Sequence, residues 1–347
     1  MSYYTKKHKH YCGIDLHAKM MYVCIMNADG DILFHKNMKT DRAVFLRNIE
    51  KFRDDLCVTC ECMHCWYWVA DACSDEGIPF VLGHALEMKL IHGSKVKNDR
   101  LDSMRIAILL RNHTLPMGYV YPRDMRSTRD LLRRRIHFVR KRADLLAHIQ
   151  NTNNQYNLPA FEKKLQNKSN RLGVANRFED TSASKSVEVD VINIDHYDTV
   201  VRELDLFLEQ TVKVQEPNDF NLLKTIVGVG RILALTMLYE IHDISRFKRV
   251  QDFISYARLV KGFSESAGKR KGSKGGKMGN ANLKWAFSEA AVTFLRHNPE
   301  TRQLKEKLER KHGKAKALSI ISTRLGRAIY YMLKRHRAFD MNMFLKI

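Results

Sequence analysis

The sequence predicts a mixed α/β domain followed by a mostly α-helical remainder. Three observations predict it. Residues 10–38 hold apolar runs of strand length broken by turn residues. From residue 41 to about 111, helix-spaced and strand-like segments alternate. From about residue 123 onward, apolar residues recur almost only at helical spacing.

The elements follow in order. Residues 10–38 read as three strands, with "NADGD" at 27–31 as the hairpin turn between the second and third. In "DRAVFLRNIEKFRD", residues 41–54, the apolar positions Val44, Phe45, Ile49 and Phe52 follow an Asp cap, which predicts a helix. A strand over "LCVTCE", a helix over "WYWVADACSDEG" and a short strand "IPFVLG" come next, then a helix starting near Asn98. From 123 a long basic helix carries Leu131, Leu132, Ile136, Val139, Leu145 and Ile149 along one side. Nine Lys/Arg stand between 123 and 142 against two Asp, so its other side suits a polyanion. The polar interval 151–185 reads as a loop or insertion. The helical run 196–213 either returns antiparallel to the first or dimerises as a coiled coil. The expected division is 1–122, 123–217 and 218–347.

Charge narrows the function. Sixty Lys+Arg against 38 Asp+Glu leave a net charge of +22, a field that attracts polyanions. No apolar run has the length of a membrane span and no amphipathic anchor is evident, so nucleic acid is the expected partner and a membrane is not. The basic N-terminus lacks the apolar stretch of a signal peptide, which predicts a cytoplasmic protein. Seven cysteines, an odd number, argue against a secreted disulfide framework. Four of them, Cys57, Cys60, Cys62 and Cys65, fall in "CVTCECMHC" and raise a zinc site as one reading. Strand alternation would put Cys60 and Cys62 on one face and Glu61 on the other, which favours buried reduced thiols.

The acids are the sharper signal. Asp15 ends the first apolar run in "YCGIDLHAKMMYVCI", where a lone charge beside a sheet core is costly. It either starts a turn or faces a cation. Glu61 ends the fourth strand, the natural neighbour of the first. Asp99 and Asp102, three apart at a helix start, share one face, although acids there also favour the helix dipole without any metal. Two strand-end acids and a D-x-x-D helix together suit Mg2+, which takes carboxylate oxygens. His17 beside Asp15 reads as structural or phosphate-contacting, and Trp66, Tyr67 and Trp68 as helix packing on the sheet.

A second constellation lies at 261–285, where seven Lys/Arg and three Ser stand against one Glu. Lys269, Arg270, Lys271, Lys274 and Lys277 are candidate phosphate contacts among glycines that open the backbone. A serine here is a candidate nucleophile toward a phosphodiester, but composition does not choose among Ser264, Ser266 and Ser273. Upstream, Gly228 and Gly230 in "TIVGVG" sit between two apolar helical stretches, the form of a helix-hairpin-helix that offers N–H groups to a phosphate.

The order "GIDLH", "CECMHCWYW", "KVKNDRLDS", "RDLLRRR", "TIVGVG", "SESAGKRKG", "GNANLKWAFSEAA" and "KHGKAKAL" resembles the DEDD-type insertion-sequence transposases. That family includes the pilin-gene invertases and the recombinases guided by a bridge RNA. The resemblance implies an RNase H-like, resolvase-type (RuvC-like) first domain, a coiled-coil segment and a C-terminal transposase domain with a catalytic serine. It assigns the metal-holding tetrad to Asp15, Glu61, Asp99 and Asp102, and the serine of the E-S-x-G pattern to Ser266. It implies Mg2+, donor and target DNA, a non-coding guide RNA, a dimer that pairs into a tetramer, and a bacterial, nucleoid-associated setting. Arg133, Arg134 and Arg135 are nucleic-acid contacts on this reading. One departure is "RLVKGFSESAG", which replaces the "GL-x-P" lead of many relatives. The rival readings are a Holliday-junction-resolvase-like nuclease that uses the acidic tetrad alone, and a binding protein without activity.

Overall fold

A computed structural model describes residues 3–91, 98–215, 217–262, 265–270 and 278–346. Met1–Arg126 and Ser127–Ile347 form two compact units.

The first unit opens with strands β1 (His10–Leu16), β2 (Met20–Asn27) and β3 (Ile32–Lys39). Asn27 shapes the β2–β3 turn, its side-chain oxygen accepting from Gly30 N and Asp31 N, each at 2.8 Å. Asp41 caps α1 (Arg42–Ile49) by accepting from Val44 N at 3.0 Å. The helix expected through residue 54 ends early, because Glu50–Asp55 tighten into a 3-10 turn. That turn carries Asp54 to Lys9 and Asp55 to His8. Then come β4 (Leu56–Glu61), α2 (Tyr67–Asp75), β5 (Phe80–Gly83), α3 (Ala85–Ile91) and α4 (Asp99–Arg111). Asn98 caps α4 by accepting from Arg100 N.

The sheet order is β3-β2-β1-β4-β5. β1 pairs antiparallel with β2 and parallel with β4, and β4 pairs parallel with β5. Alternation sends Cys12, Ile14, Val58 and Cys60 into a core with Phe45, Trp66 and Val69. Tyr11, Cys24 and Cys57 enter the opposite core with Ala107 and Leu110 of α4. Gly13 lets α4 lie directly on the β1 backbone, since a Cβ there would come within 2.3 Å of Ala107 N and 2.4 Å of Ser103 O. Cys57 and Cys60 therefore sit on opposite faces of the sheet and cannot share an ion, which removes the four-cysteine zinc arrangement. Trp66 and Tyr67 each hold the Arg126 guanidinium 4.7 Å from the ring, and Arg126 reaches Asp71 at 2.7 Å. These aromatics are packing residues.

In the second unit α5 (Arg123–Gln155), which begins at the end of the first unit, and α6 (Thr181–Gln215) run antiparallel. Three pairs mark the register: Arg135–Asp205, Arg142–Asp198 and His148–Asp190. The interval expected as a loop is instead a small packed tip. Leu165, Val174 and Phe178 meet Ile149, Val187 and Ile194 there, and buried Arg171 binds Asp195 and Asp198. α6 starts at Thr181, well before the run expected from 196, because exposed Val189 and Ile192 stand between buried Val187 and Ile194 and blur the helical period.

The remaining helices are α7 (Pro217–Lys224), α8 (Arg231–Ile241), α9 (Val250–Tyr256), α10 (Ala281–His297), α11 (Arg302–His312), α12 (Lys314–Arg335) and α13 (Met341–Leu345). Phe253 lies between Phe287 and Tyr330 in their core, with ring centroids 6.0 and 5.9 Å away. Before α10, β6 (Glu265–Ser266) and β7 (Lys269–Arg270) form a small hairpin. No described helix is long and apolar enough to cross a membrane.

Candidate active site

β1 delivers Asp15 to the end of the sheet on the face that Gly13 opens to α4. The β1–β4 register, with Ile14 opposite Cys60, makes Glu61 the next position across from Asp15. Strand alternation aims Glu61 toward that same α4 face. Asp99 and Asp102 stand in the first turn of α4, which the close packing at Gly13 directs over the strand ends. The sequence thus builds the site with one small residue and one helix cap.

Asp15, His17 and Asp99 come together so that one ligand atom from each lies within 4.8 Å of the others. His17 Nε2 is 3.4 Å from Asp15 Oδ2 and 3.8 Å from Asp99 Oδ2. Asp102 is paired with Arg105 at 3.2 Å, and Glu61 lies outside the close group. The structure therefore draws two of the four expected acids into contact distance of a shared cation and adds a histidine. Its signal in sequence is the "DLH" spacing across the tight turn, where His17 N donates to Met20 O.

Burial pushes the Asp15 carboxyl above its usual range, and the charges of Asp99 and Asp102 push the same way. His17, through its charge and a hydrogen bond, opposes them. Asp15 is thus held in a place where ionisation is costly without an added positive charge. Carboxylate oxygens and one imidazole nitrogen are donors that a hard or borderline divalent cation accepts, so the residues present fit such an ion. His35 braces the helix that carries the acids, its Nε2 lying 3.0 Å from Arg100 O and 3.1 Å from Ser103 Oγ.

Ser266 ends β6, and the next two residues take positive φ, 53° at Ala267 and 71° at Gly268. That is the requirement of a type I′ hairpin turn. Glycine meets it without strain, whereas alanine does so at a cost. Lys269 is exposed on the returning strand, which also carries Arg270. Lys271, Lys274 and Lys277, with the alternative serines Ser264 and Ser273, lie outside the described residues.

On α5, Arg133 donates from Nε and Nη2 to Glu240 at 2.7 and 2.8 Å, and Arg135 binds Asp205 in the same forked way. Arg134 packs its guanidinium 4.7 Å over the Phe138 ring. The two glycines differ. Gly228, at φ +96°, touches α10 so closely that a Cβ would sit 2.7 Å from Phe294 N, whereas Gly230 caps α8 with open space around it.

Comparison with known families fits this geometry. Residues 12–157 match a DEDD transposase model, and residues 220–306 match the model described as "Transposase IS116/IS110/IS902 family". A search of curated proteins gives no match. The first match defines the class, a DEDD transposase with an RNase H-like mixed sheet followed by a mostly helical region. The two matches in this order place the particular family: the chain belongs to the IS110-family transposases. It is a DNA strand-transfer enzyme, and its DEDD domain implies use of a divalent metal.

Proposed function

We propose that this transposase cuts and rejoins DNA of its insertion element through a phosphoserine intermediate, with Mg2+ held by Asp15, Glu61, Asp99 and Asp102. The gathering of Asp15, His17 and Asp99 at the strand ends, beneath a family match to that segment, carries the reading. The ion supplies charge stabilisation at the scissile phosphate. The Ser266 hydroxyl oxygen forms a bond to phosphorus as the bond to one sugar oxygen breaks. The serine proton is lost, the departing sugar oxygen gains one, and a second strand's hydroxyl reverses the exchange to rejoin DNA. Lys269, Arg270 and Lys271 offset the charge that builds on the phosphoryl oxygens, with Lys274 and Lys277 on the flanking backbone. His17 orients Asp15 and Asp99.

A non-coding guide RNA selects donor and target by pairing, while the protein reads backbone and shape. The +22 charge supports this division of labour. Arg133, Arg134 and Arg135, together with the turn of Gly228 and Gly230, contribute to the nucleic-acid surface. Arg134 is the strongest of the three arginines, since the other two are already forked onto carboxylates. Several cuts per event call for a dimer that pairs into a tetramer.

The test uses full-length protein, its flanking non-coding RNA, and labelled donor and target DNA in Mg2+. A denaturing gel should show a covalent protein–DNA adduct that both Ser266→Ala and Asp15→Ala abolish. Cleavage without an adduct, surviving Ser266→Ala but not Asp15→Ala, would sink the serine mechanism and leave a resolvase-like nuclease.

A further inference from the structure

Among the described residues, the most deeply buried carboxylate of the second unit is one that the strand-transfer chemistry does not use. Glu240 of α8 is 2% exposed, and four donors saturate its two oxygens. Oε1 accepts from Arg133 Nε at 2.7 Å and Asn282 Nδ2 at 3.1 Å. Oε2 accepts from Arg133 Nη2 at 2.8 Å and Asn280 Nδ2 at 2.7 Å. Residues far apart in the chain therefore meet at a single side chain.

Asn280 links this cluster to the serine. It caps α10, its Oδ1 accepting from Asn282 N and Leu283 N. Its own N–H donates to Tyr256 O at 2.6 Å. Arg258 Nε donates to Met278 O and Gly279 O at 3.1 and 2.9 Å. The chain between Tyr256 and Asn280, which contains Ser266, is thus closed at its base. Glu240 grips that base from one side and α5 from the other.

A buried ion pair contributes little net stability, because desolvation offsets attraction, and apolar residues of like volume serve folding as well. What the forked Arg–carboxylate pair adds is direction. We propose that Glu240 is a positioning residue which, with Arg133, fixes the two ends of the chain between Tyr256 and Asn280 and ties the placement of the Ser266 nucleophile to helix α5. The assignment rests on the serine reading given above. Nucleic acid that engages α5 then acts on the serine through Arg133, with Glu240 as the joint.

The test compares full-length wild type, Glu240→Gln, and the double variant Glu240→Leu with Arg133→Met, which keeps the volume and removes the fork. Adduct formation is timed at saturating DNA, alongside DNA affinity, melting temperature, and trypsin cleavage within the Lys/Arg-rich stretch 269–277. Glu240→Gln should slow adduct formation about 100-fold, the scale of a misplaced nucleophile, while DNA affinity holds and the stretch 269–277 is cut faster. The apolar pair should recover melting temperature without recovering the adduct rate. Recovery of both, or an adduct rate that follows only the folded fraction, would overturn the proposal. If wild type forms no adduct, the serine reading fails by itself. Trypsin then decides the anchoring, and unchanged cleavage in Glu240→Gln would overturn it.

Discussion

Asp15 and Glu240 are both carboxylates set against an apolar core, yet their surroundings are opposite. Burial raises the Asp15 carboxyl, and its acidic neighbours Asp99 and Asp102 raise it further. Burial works upward on Glu240 too, but the hydrogen bond and charge of Arg133, the Asn280 amide and the Arg129 charge outweigh it, and the carboxyl is lowered. The Glu240 guanidinium partner is correspondingly raised: burial pulls Arg133 down, while the Glu240 hydrogen bond and charge more than reverse it. An acid collected with other acids is a place prepared for a cation that arrives later. An acid ringed by four donors is complete within the fold. The first arrangement gives up stability to suit a cation, and the second uses a completed ion pair to fix direction.

The largest break in this comparison is Asp15→Asn. Strand cleavage should fall by more than about 100-fold, while the metal-free first unit melts at a higher temperature, because a costly charge is gone. Loss of activity together with a lower melting temperature would contradict the account of Asp15. Glu240→Gln should act in the opposite sense, lowering the stability of the second unit by about 3 kcal/mol, the scale of a broken buried pair. Chemical denaturation of the two variants side by side reads both signs.

Acid sharpens the contrast. The lowered Glu240 carboxyl contributes stability that is fully present above the unfolded glutamate value of about 4.3. That contribution is lost as pH falls through the lower folded value. The raised Asp15 carboxyl behaves in reverse. Its contribution is present below the unfolded aspartate value of about 3.9 and is lost as pH rises through the higher folded one. Trp66 and Trp68 lie in the first unit and Trp285 in the second. Melts of a Trp285→Phe variant therefore isolate the first unit, where the lowered Asp54 and Asp55 lose stability in acid and the opposing Asp15 contribution should vanish in Asp15→Asn.

Smaller effects test the edges of the site. His17→Ala should weaken divalent-metal binding about 10-fold, as loss of a supporting contact does, with little change in melting temperature. No change in affinity would remove His17 from the site. Ala267→Gly should relieve about 1 kcal/mol of left-handed strain in the turn after Ser266 and leave strand transfer within about twofold. A large loss of activity would mean that the strain itself matters to the chemistry.

Much of this contrast was legible in the residues. Alternation in "LCVTCE" set Glu61 off the Cys60 face, and the fourth strand was expected beside the first, which is where β4 lies. The Asp41 cap marked its helix because a side-chain oxygen there has a defined donor to meet, and Asn98, near which the later helix was expected to start, caps it in the same way. The packed tip between α5 and α6 was not legible. Its buried Leu165, Val174 and Phe178 sit in short 3-10 and turn segments that have no helical or strand period to read. α3, a seven-residue helix after β5, escaped for the same reason. Nor did "RDLLRRR" reveal that Arg133 and Arg135 are forked onto carboxylates. Those partners, Glu240 and Asp205, are distant in sequence, and a charge run looks alike whether it faces solvent, nucleic acid or a buried acid.

The most direct measurement is calorimetric titration of Mg2+, and of Mn2+ in parallel, into the full-length protein and its Asp15→Asn and Asp99→Asn variants. Wild type should bind saturably, with a higher melting temperature in the Trp66 and Trp68 signal, and both substitutions should abolish that binding. Binding of equal strength to all three proteins, or none to wild type at millimolar metal, would contradict a cation site at Asp15 and Asp99.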